Sequence, residues 1–158
     1  YKLVFFGFTH CPDVCPTTLA DITRTMDLLG SATKQVQPLF ISVDPARDTP
    51  EAMREYLSNF HQKIVGLTGT KQQVKNAADA FRVYFEKAKP KNYTGADGDG
   101  SGQTSSADYL VNHSANIYLM SPNNEYLKHF NYGTKPTRMA QTIRAALEKF
   151  GRPGKESK

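Results

Sequence analysis

The alternation of short apolar runs with stretches of helical periodicity is the feature of this sequence that most narrows the choice of fold. Residues 3–6 form an apolar run that predicts a buried strand, and similar runs predict strands at 39–43, 64–67 and 83–85. Between these runs, apolar residues recur every three or four positions, as in helices that bury one face. This order of elements favours an α/β fold with a largely parallel sheet.

The predicted helices have recognisable ends. Gly30 follows the first helical stretch as a C-cap would, while Thr49 and Thr70 stand where the second and third helices need an N-cap. The apolar stripes of the four helices are Leu19, Ile22, Met26 and Leu29; Met53, Leu57 and Phe60; Val74, Ala77, Ala78 and Phe81; and Met139, Ile143, Leu147 and Phe150.

The second half of the sequence predicts a loop, a hairpin and a tail. Residues 87–107 lose all periodicity and fill with Lys, Asp, Ser and Gly, so we expect a mobile loop there. Residues 116–120 and 126–132 flank a Pro-Asn-Asn turn and predict an antiparallel hairpin. Residues 151–158 are expected to form a basic tail after the last helix.

Together these elements predict one domain, residues 1–150, with a thioredoxin-like α/β fold. In this arrangement a mostly parallel central sheet ends in a C-terminal antiparallel hairpin and carries flanking helices. The chain has 158 residues, of which 39% are hydrophobic, so it can bury a core that folds without disulfide staples.

Charge and hydropathy bear on the class of partner. The net charge is +5, but Lys and Arg are scattered and densest in the tail, so we predict no nucleic-acid site. A basic surface would instead raise the rate of encounter with an acidic partner. No apolar run spans a bilayer, no signal peptide is evident, and Tyr1 reads as mid-strand, so we expect a processed or trimmed piece of a longer chain.

Cys11 and Cys15, the two cysteines of the sequence, lie between the first predicted strand and the first predicted helix. If the helix begins within this stretch, residues four apart share one face and both sulfurs can meet one target. Pro16 is compatible with the start of a helix. The positive end of the helix should favour thiolate over thiol at both cysteines.

Three interpretations of this pair stay open: a structural disulfide, a redox-active dithiol and half of a metal site. A bridge across so short a loop removes little chain entropy, which makes the structural disulfide the weakest of them. Dithiol oxidoreductases usually place two residues between their cysteines, and here there are three. A metal site needs at least one further ligand.

His113 is the best candidate for that ligand, because it lies between the predicted loop and hairpin, near a predicted sheet end. Two thiolates and an imidazole form a soft set that suits Cu(I), although zinc could take the same ligands together with water. His10 adjoins the first cysteine and His129 lies within a predicted strand, and we expect both to be structural or surface residues.

Four motifs in order resemble the Sco/SenC proteins. They are GFTHCPDVCP at 7–16, ISVDPARDTP at 41–50, GLTGT at 66–70 and DYLVNHS at 108–114. The resemblance runs over nearly the whole chain, and four successive motifs are far more specific than any one of them.

The resemblance implies a copper chaperone with a thioredoxin-like fold, which binds one copper ion as Cu(I) or Cu(II). It also implies that Cys11, Cys15 and His113 are the copper ligands and that the two cysteines can form a redox-active disulfide. Asp44 and Asn112 are expected close to the ligands. The family commonly has aspartate in place of Asn112, and the loss of this charge should weaken Cu(II) binding most.

The same resemblance implies that the protein helps to build the binuclear copper centre in subunit II of cytochrome c oxidase, with a second copper chaperone as a candidate donor. The alternative function is a thiol–disulfide reductase that keeps the cysteines of the oxidase site reduced. We expect a chaperone rather than an enzyme. Its domain should lie in the bacterial periplasm, anchored to the membrane through a segment upstream of this sequence, or alternatively in the mitochondrial intermembrane space.

Overall fold

The computed structural model describes residues 1–88, 110–113 and 115–150, and the surroundings of side chains within 1–85 and 115–150. The strands are β1 Lys2–Gly7, β2 Gln37–Ser42, β3 Val65–Leu67, β4 Phe85–Ala88, β5 Leu110–His113, β6 Ile117–Met120 and β7 Tyr126–Phe130. The α-helices are α1 Val14–Leu29, α2 Pro50–Leu57, α3 Lys71–Ala80 and α4 Pro136–Phe150. Within these described residues, no helix is both long enough and apolar enough to cross a bilayer.

Five strands form the main sheet in the order β3-β2-β1-β6-β7. Strands β1, β2 and β3 are parallel, whereas β6 runs antiparallel to both β1 and β7. This arrangement confirms the predicted thioredoxin-like α/β fold, with a mostly parallel sheet that ends in an antiparallel hairpin. Because β1 is central and lies between β2 and β6, the loop that follows it starts from the most buried part of the sheet.

The core is built from the apolar faces that the sequence predicted. Helices α1 and α4 contact each other and bury the predicted stripes except for Phe150, which is exposed. Phe5 and Phe40, on neighbouring parallel strands, are fully buried with ring centroids 5.8 Å apart. Gly30 ends α1 with φ of 57°, a left-handed conformation that favours glycine and confirms the predicted C-cap.

The bounds of β2 and α2 differ from the prediction. Strand β2 begins at Gln37 rather than residue 39 and so contains Pro38, which β3 does not oppose because β3 pairs only with residues 39–41. The missing N–H of Pro38 therefore removes no hydrogen bond between β2 and β3. Helix α2 ends at Leu57, and Phe60 lies in the turn that follows it. The Phe60 N–H donates to the Leu57 carbonyl.

A second, two-stranded sheet pairs β4 with β5 in antiparallel register. The prediction of a loop from residue 87 was wrong for Lys87 and Ala88, which belong to β4 and pair with Val111 and Leu110. These two residues lack an apolar pattern, so their strand conformation depends on a partner more than 20 positions away. Residues 89–107 and the predicted tail lie outside the described residues.

Candidate metal centre

The two cysteines lie at the junction of β1 and α1. Cys15 is in the first turn of α1, but Cys11 precedes the helix, which begins at Val14. The predicted sharing of one helical face is therefore wrong, although the two residues do meet. The backbone N–H of Cys15, in the first turn of α1, donates to the Cys11 sulfur at 3.4 Å and so holds that sulfur in place.

Both cysteines are free thiols in different surroundings. Cys15 is fully buried and Cys11 is half-buried. The hydrogen bond to Cys11, followed by burial, raises the pKa of the Cys15 thiol, against the lowering predicted from the helix end. These two effects outweigh the hydrogen bond with the Phe8 backbone, which lowers the pKa of the same thiol. In the metal-free pair, Cys15 is therefore protonated.

Gly7 provides the space that the Cys15 sulfur occupies. A Cβ atom at this position would lie 2.8 Å from Cys15 Sγ and 2.6 Å from Cε2 of Phe40. Both distances are well below normal contact. Any larger residue at the end of β1 would thus push on the sulfur and on a core ring together.

A buried acid that the sequence did not single out, Asp48, contacts the loop before Cys11. Its carboxylate accepts hydrogen bonds from the Thr9 backbone and hydroxyl and from the Ser42 hydroxyl, and its side chain is fully buried. One sequence signal could have found it: Asp48 follows β2, and the carboxyl ends of adjacent parallel strands meet at one edge of a sheet.

The other predicted polar residues are distributed around this edge. Asp44 is buried and its carboxylate accepts a bond of 2.5 Å from Arg47, whose guanidinium lies 5.9 Å from the ring centre of Phe8. The His10 side chain is 55% exposed, with Nδ1 4.0 Å from Asp48 Oδ1. His129 is exposed and bonds the Tyr126 hydroxyl at 2.7 Å, which confirms its predicted surface position.

His113 and Asn112 lie in β5. Their Cα partners in β4 are Phe85 and Glu86. Phe85 lines a cavity of about 470 Å³ together with Asp44, so the β4–β5 pair lies beside the loop that follows β2. Among the side chains that the structure describes, no three His, Cys, Asp or Glu residues form a metal-binding group. The fold thus brings two predicted ligands together, and the third stays a prediction.

The family model of SCO1/SenC matches residues 1–148. The chain belongs to the SCO1/SenC family. A SCO2-like protein of Rickettsia conorii is 39% identical over 143 residues, which are 90% of this chain and 64% of that protein. The mitochondrial SCO1 homologue of Homo sapiens is 38% identical over 152 residues, 95% of this chain and 46% of that protein. The chain therefore spans about half to two thirds of the length of these relatives.

Solved Sco structures share the fold. ScoI of Arabidopsis thaliana with copper bound has a TM-score of 0.80 at 33% identity, and covers 94% of this chain and 84% of its own. Yeast Sco1 with copper bound has a TM-score of 0.76 at 36% identity, with 99% and 82% covered. In both of these neighbours of our SCO1/SenC chain, copper is the bound metal.

The donor set of this SCO1/SenC domain fits a soft cation. Two sulfurs in contact at the positive end of α1 are ligands of the kind that Cu(I) prefers.

Tyr56 Oη is buried and has no hydrogen-bond partner among the described residues, and its ring packs 6.1 Å from that of Phe40. Burial, followed by the charges of Cys15, Cys11 and Asp48, raises the pKa of Tyr56. The Tyr56 hydroxyl, which has no hydrogen-bond partner among the described residues, therefore lies close enough to the two cysteines for their charges to affect its pKa.

Proposed function

We propose that this chain binds one copper ion through Cys11, Cys15 and His113. In our proposal it acts as a metallochaperone that assists assembly of the binuclear copper centre in subunit II of cytochrome c oxidase. The observation that carries the proposal is the approach of two reduced cysteines, half-buried Cys11 and fully buried Cys15, at a strand–helix junction of a SCO1/SenC domain, where the Cys15 N–H donates to the Cys11 sulfur. The copper-bound Sco neighbours support copper as the cargo.

The geometry of the thiols suits transfer as well as binding. Cys11 is half-buried, so an incoming thiolate of a partner can reach a metal held there, while buried Cys15 excludes water from the other side. Ligand exchange can then proceed one sulfur at a time. Asp44 and Asn112 are proposed as supporting residues that orient the ligands through hydrogen bonds.

The test is copper titration of the reduced protein and its variants. We expect one Cu(I) per chain, and loss of tight binding in Cys11→Ala and Cys15→Ala. His113→Ala should weaken Cu(I) binding only in part, because two thiolates hold Cu(I) linearly, and should weaken Cu(II) binding more. His129→Ala, at an exposed position on the hairpin, is the matched control. Unchanged stoichiometry in either cysteine variant would refute the site.

A second candidate function is thiol–disulfide reduction of the oxidase cysteines. The observation that favours it is the pair itself: the more exposed Cys11 can attack a partner disulfide as a thiolate and release one partner sulfur, and buried Cys15, on losing its proton, can then attack Cys11 and release the other as the Cys11–Cys15 disulfide forms. His113→Ala separates the two functions. A reductase keeps its dithiol potential without this imidazole, whereas a copper site loses a ligand.

We also propose, from the family resemblance, a membrane-anchored protein whose domain lies in the bacterial periplasm, or in the mitochondrial intermembrane space. A second copper chaperone is the proposed donor. Fractionation of cells that express the full-length protein, followed by protease treatment of the intact membranes, tests the location. Recovery in the cytoplasmic soluble fraction would contradict it.

A further inference from the structure

The loop that carries Cys11 is attached to the sheet through one carboxylate. Asp48 Oδ1 accepts the Thr9 hydroxyl at 2.6 Å, and the Thr9 backbone N–H lies 3.3 and 3.2 Å from the two carboxylate oxygens. Asp48 Oδ2 also accepts the Ser42 hydroxyl at 2.6 Å. Since Ser42 ends β2 and Thr9 follows β1, the carboxylate ties the ends of two parallel strands together.

Only a carboxylate satisfies this set of contacts. Every group that Asp48 meets here is a donor, and an ionised carboxylate accepts at both oxygens, whereas an amide would present a donor at one of them. The only charged partner that the described side chains offer is His10, with Nδ1 at 4.0 Å, on a largely exposed ring. Both carboxylate oxygens of this buried side chain thus hold neutral donors, Thr9 in the cysteine loop and Ser42 at the end of β2.

The attachment reaches Cys11 through a short turn. Thr9 is two residues before the cysteine, and the Cys11 N–H bonds back to the carbonyl of buried Phe8 at 3.3 Å. The other end of the loop is set by the helix, where the Cys15 N–H donates to the Cys11 sulfur. The sulfur is therefore placed between two fixed points, of which Asp48 provides one.

We propose that Asp48 is a positioning residue that holds Cys11 beside Cys15, so that the two sulfurs are arranged before a metal or a disulfide forms. The proposal rests on the proposed function for its copper readout, but not for its disulfide readout. Preorganised ligands lose less freedom on binding, and preorganised thiols have a higher effective concentration toward each other. Both equilibria should therefore weaken when the attachment is cut.

The experiment uses four variants of the reduced, metal-free chain. Asp48→Ala removes both acceptors, Asp48→Asn keeps one, and Thr9→Val removes the hydroxyl donor while the backbone N–H remains. Thr25→Val is the matched control, since its buried hydroxyl donates to the Asp21 carbonyl within α1 at 2.7 Å, away from the loop. Each variant is measured for Cu(I) affinity by chelator competition and for its disulfide equilibrium with glutathione.

We expect Asp48→Ala to lower the Cu(I) affinity about tenfold or more, as for the loss of groups that orient metal ligands. Its intramolecular disulfide equilibrium constant should fall about tenfold, a shift of about 30 mV. Asp48→Asn and Thr9→Val should each lose about threefold in both, whereas Thr25→Val should change neither. If Asp48→Ala does not fold, the Cu(I) affinity and the disulfide equilibrium of Asp48→Asn and Thr9→Val test the proposal.

Unchanged affinity and unchanged disulfide equilibrium in folded Asp48→Asn and Thr9→Val would overturn the proposal. Equal losses in Thr25→Val would also overturn it, because the effect would then be general destabilisation. If the unmodified chain binds no copper, the proposed function fails, and the disulfide equilibrium alone still tests the role of Asp48.

Discussion

Replacement of Gly7 by alanine tests whether packing behind the cysteines sets the position of the buried sulfur. The added Cβ would lie 2.6 Å from Cε2 of Phe40 and 2.8 Å from Cys15 Sγ. The first of these distances is roughly 1 Å shorter than the separation of about 3.5 Å at which carbon atoms pack. Since both neighbours are fully buried, neither can move into solvent, and one or both must shift inside the core.

The expected cost follows from overpacking. Forcing a methyl group into a filled core costs about 1–3 kcal/mol in the free energy of unfolding. For a domain of this length, each kcal/mol lowers Tm by about 2–4 °C, so Gly7→Ala should melt about 2–12 °C lower. Displacement of the sulfur should also lower the Cu(I) affinity, because the distance between the two ligands changes.

A second glycine provides the control. At Gly66 in β3, an added Cβ would lie 2.7 Å from Cδ1 of Leu57 and 3.0 Å from Cε of Met53, which are the ends of flexible side chains. We therefore expect Gly66→Ala to destabilise the domain somewhat less. It should leave copper binding unchanged, because both neighbours belong to α2 and neither is a cysteine.

Thermal unfolding of the metal-free proteins and Cu(I) competition at one pH measure the two effects. A Gly7→Ala protein with unchanged Tm and unchanged affinity would show that the core yields freely around the sulfur, and would refute the packing argument. A loss of affinity in Gly66→Ala equal to that in Gly7→Ala would refute the link between the sulfur position and binding.

Three further predictions concern protons, redox state and the unpartnered hydroxyl. Because the pKa of Cys15 is raised, copper must displace its proton throughout the neutral range, so the Cu(I) affinity should rise at least about tenfold per pH unit from pH 6 to 8; competition titrations that give a pH-independent affinity would contradict this. Oxidation to a Cys11–Cys15 disulfide should release bound copper, and metal analysis after verified oxidation would show full retention if the thiolates are not the ligands. Tyr56→Phe removes a buried hydroxyl that has no hydrogen-bond partner among the described residues, so urea unfolding of the metal-free protein should show unchanged stability or a gain of about 1 kcal/mol; a clear loss would mean that the hydroxyl is bonded.

Short-range patterns in the sequence were enough to predict most of the fold and the proximity of two of the three proposed copper ligands, Cys11 and Cys15. The spacing of apolar residues located α1 and α4, and Gly30 located the end of α1, because helix periodicity and capping depend on neighbours within a few positions. The two cysteines meet as predicted, although not on one helical face, because only four positions separate them.

Only the tertiary structure decided how that pair is held and protonated. Asp48 and Thr9 are 39 positions apart in the sequence. Gly7 lies against the Phe40 ring only because β1 and β2 pair in parallel. Spacing within a few residues therefore predicts neither contact. The pKa of Cys15 rises rather than falls, because the hydrogen bond with the Cys11 side chain and burial outweigh the hydrogen bond with the Phe8 backbone. Burial and long-range contacts arise only when distant strands assemble. They therefore decide the position of the Cys11 sulfur and the pKa of Cys15, whereas local spacing decides only that the two cysteines are close.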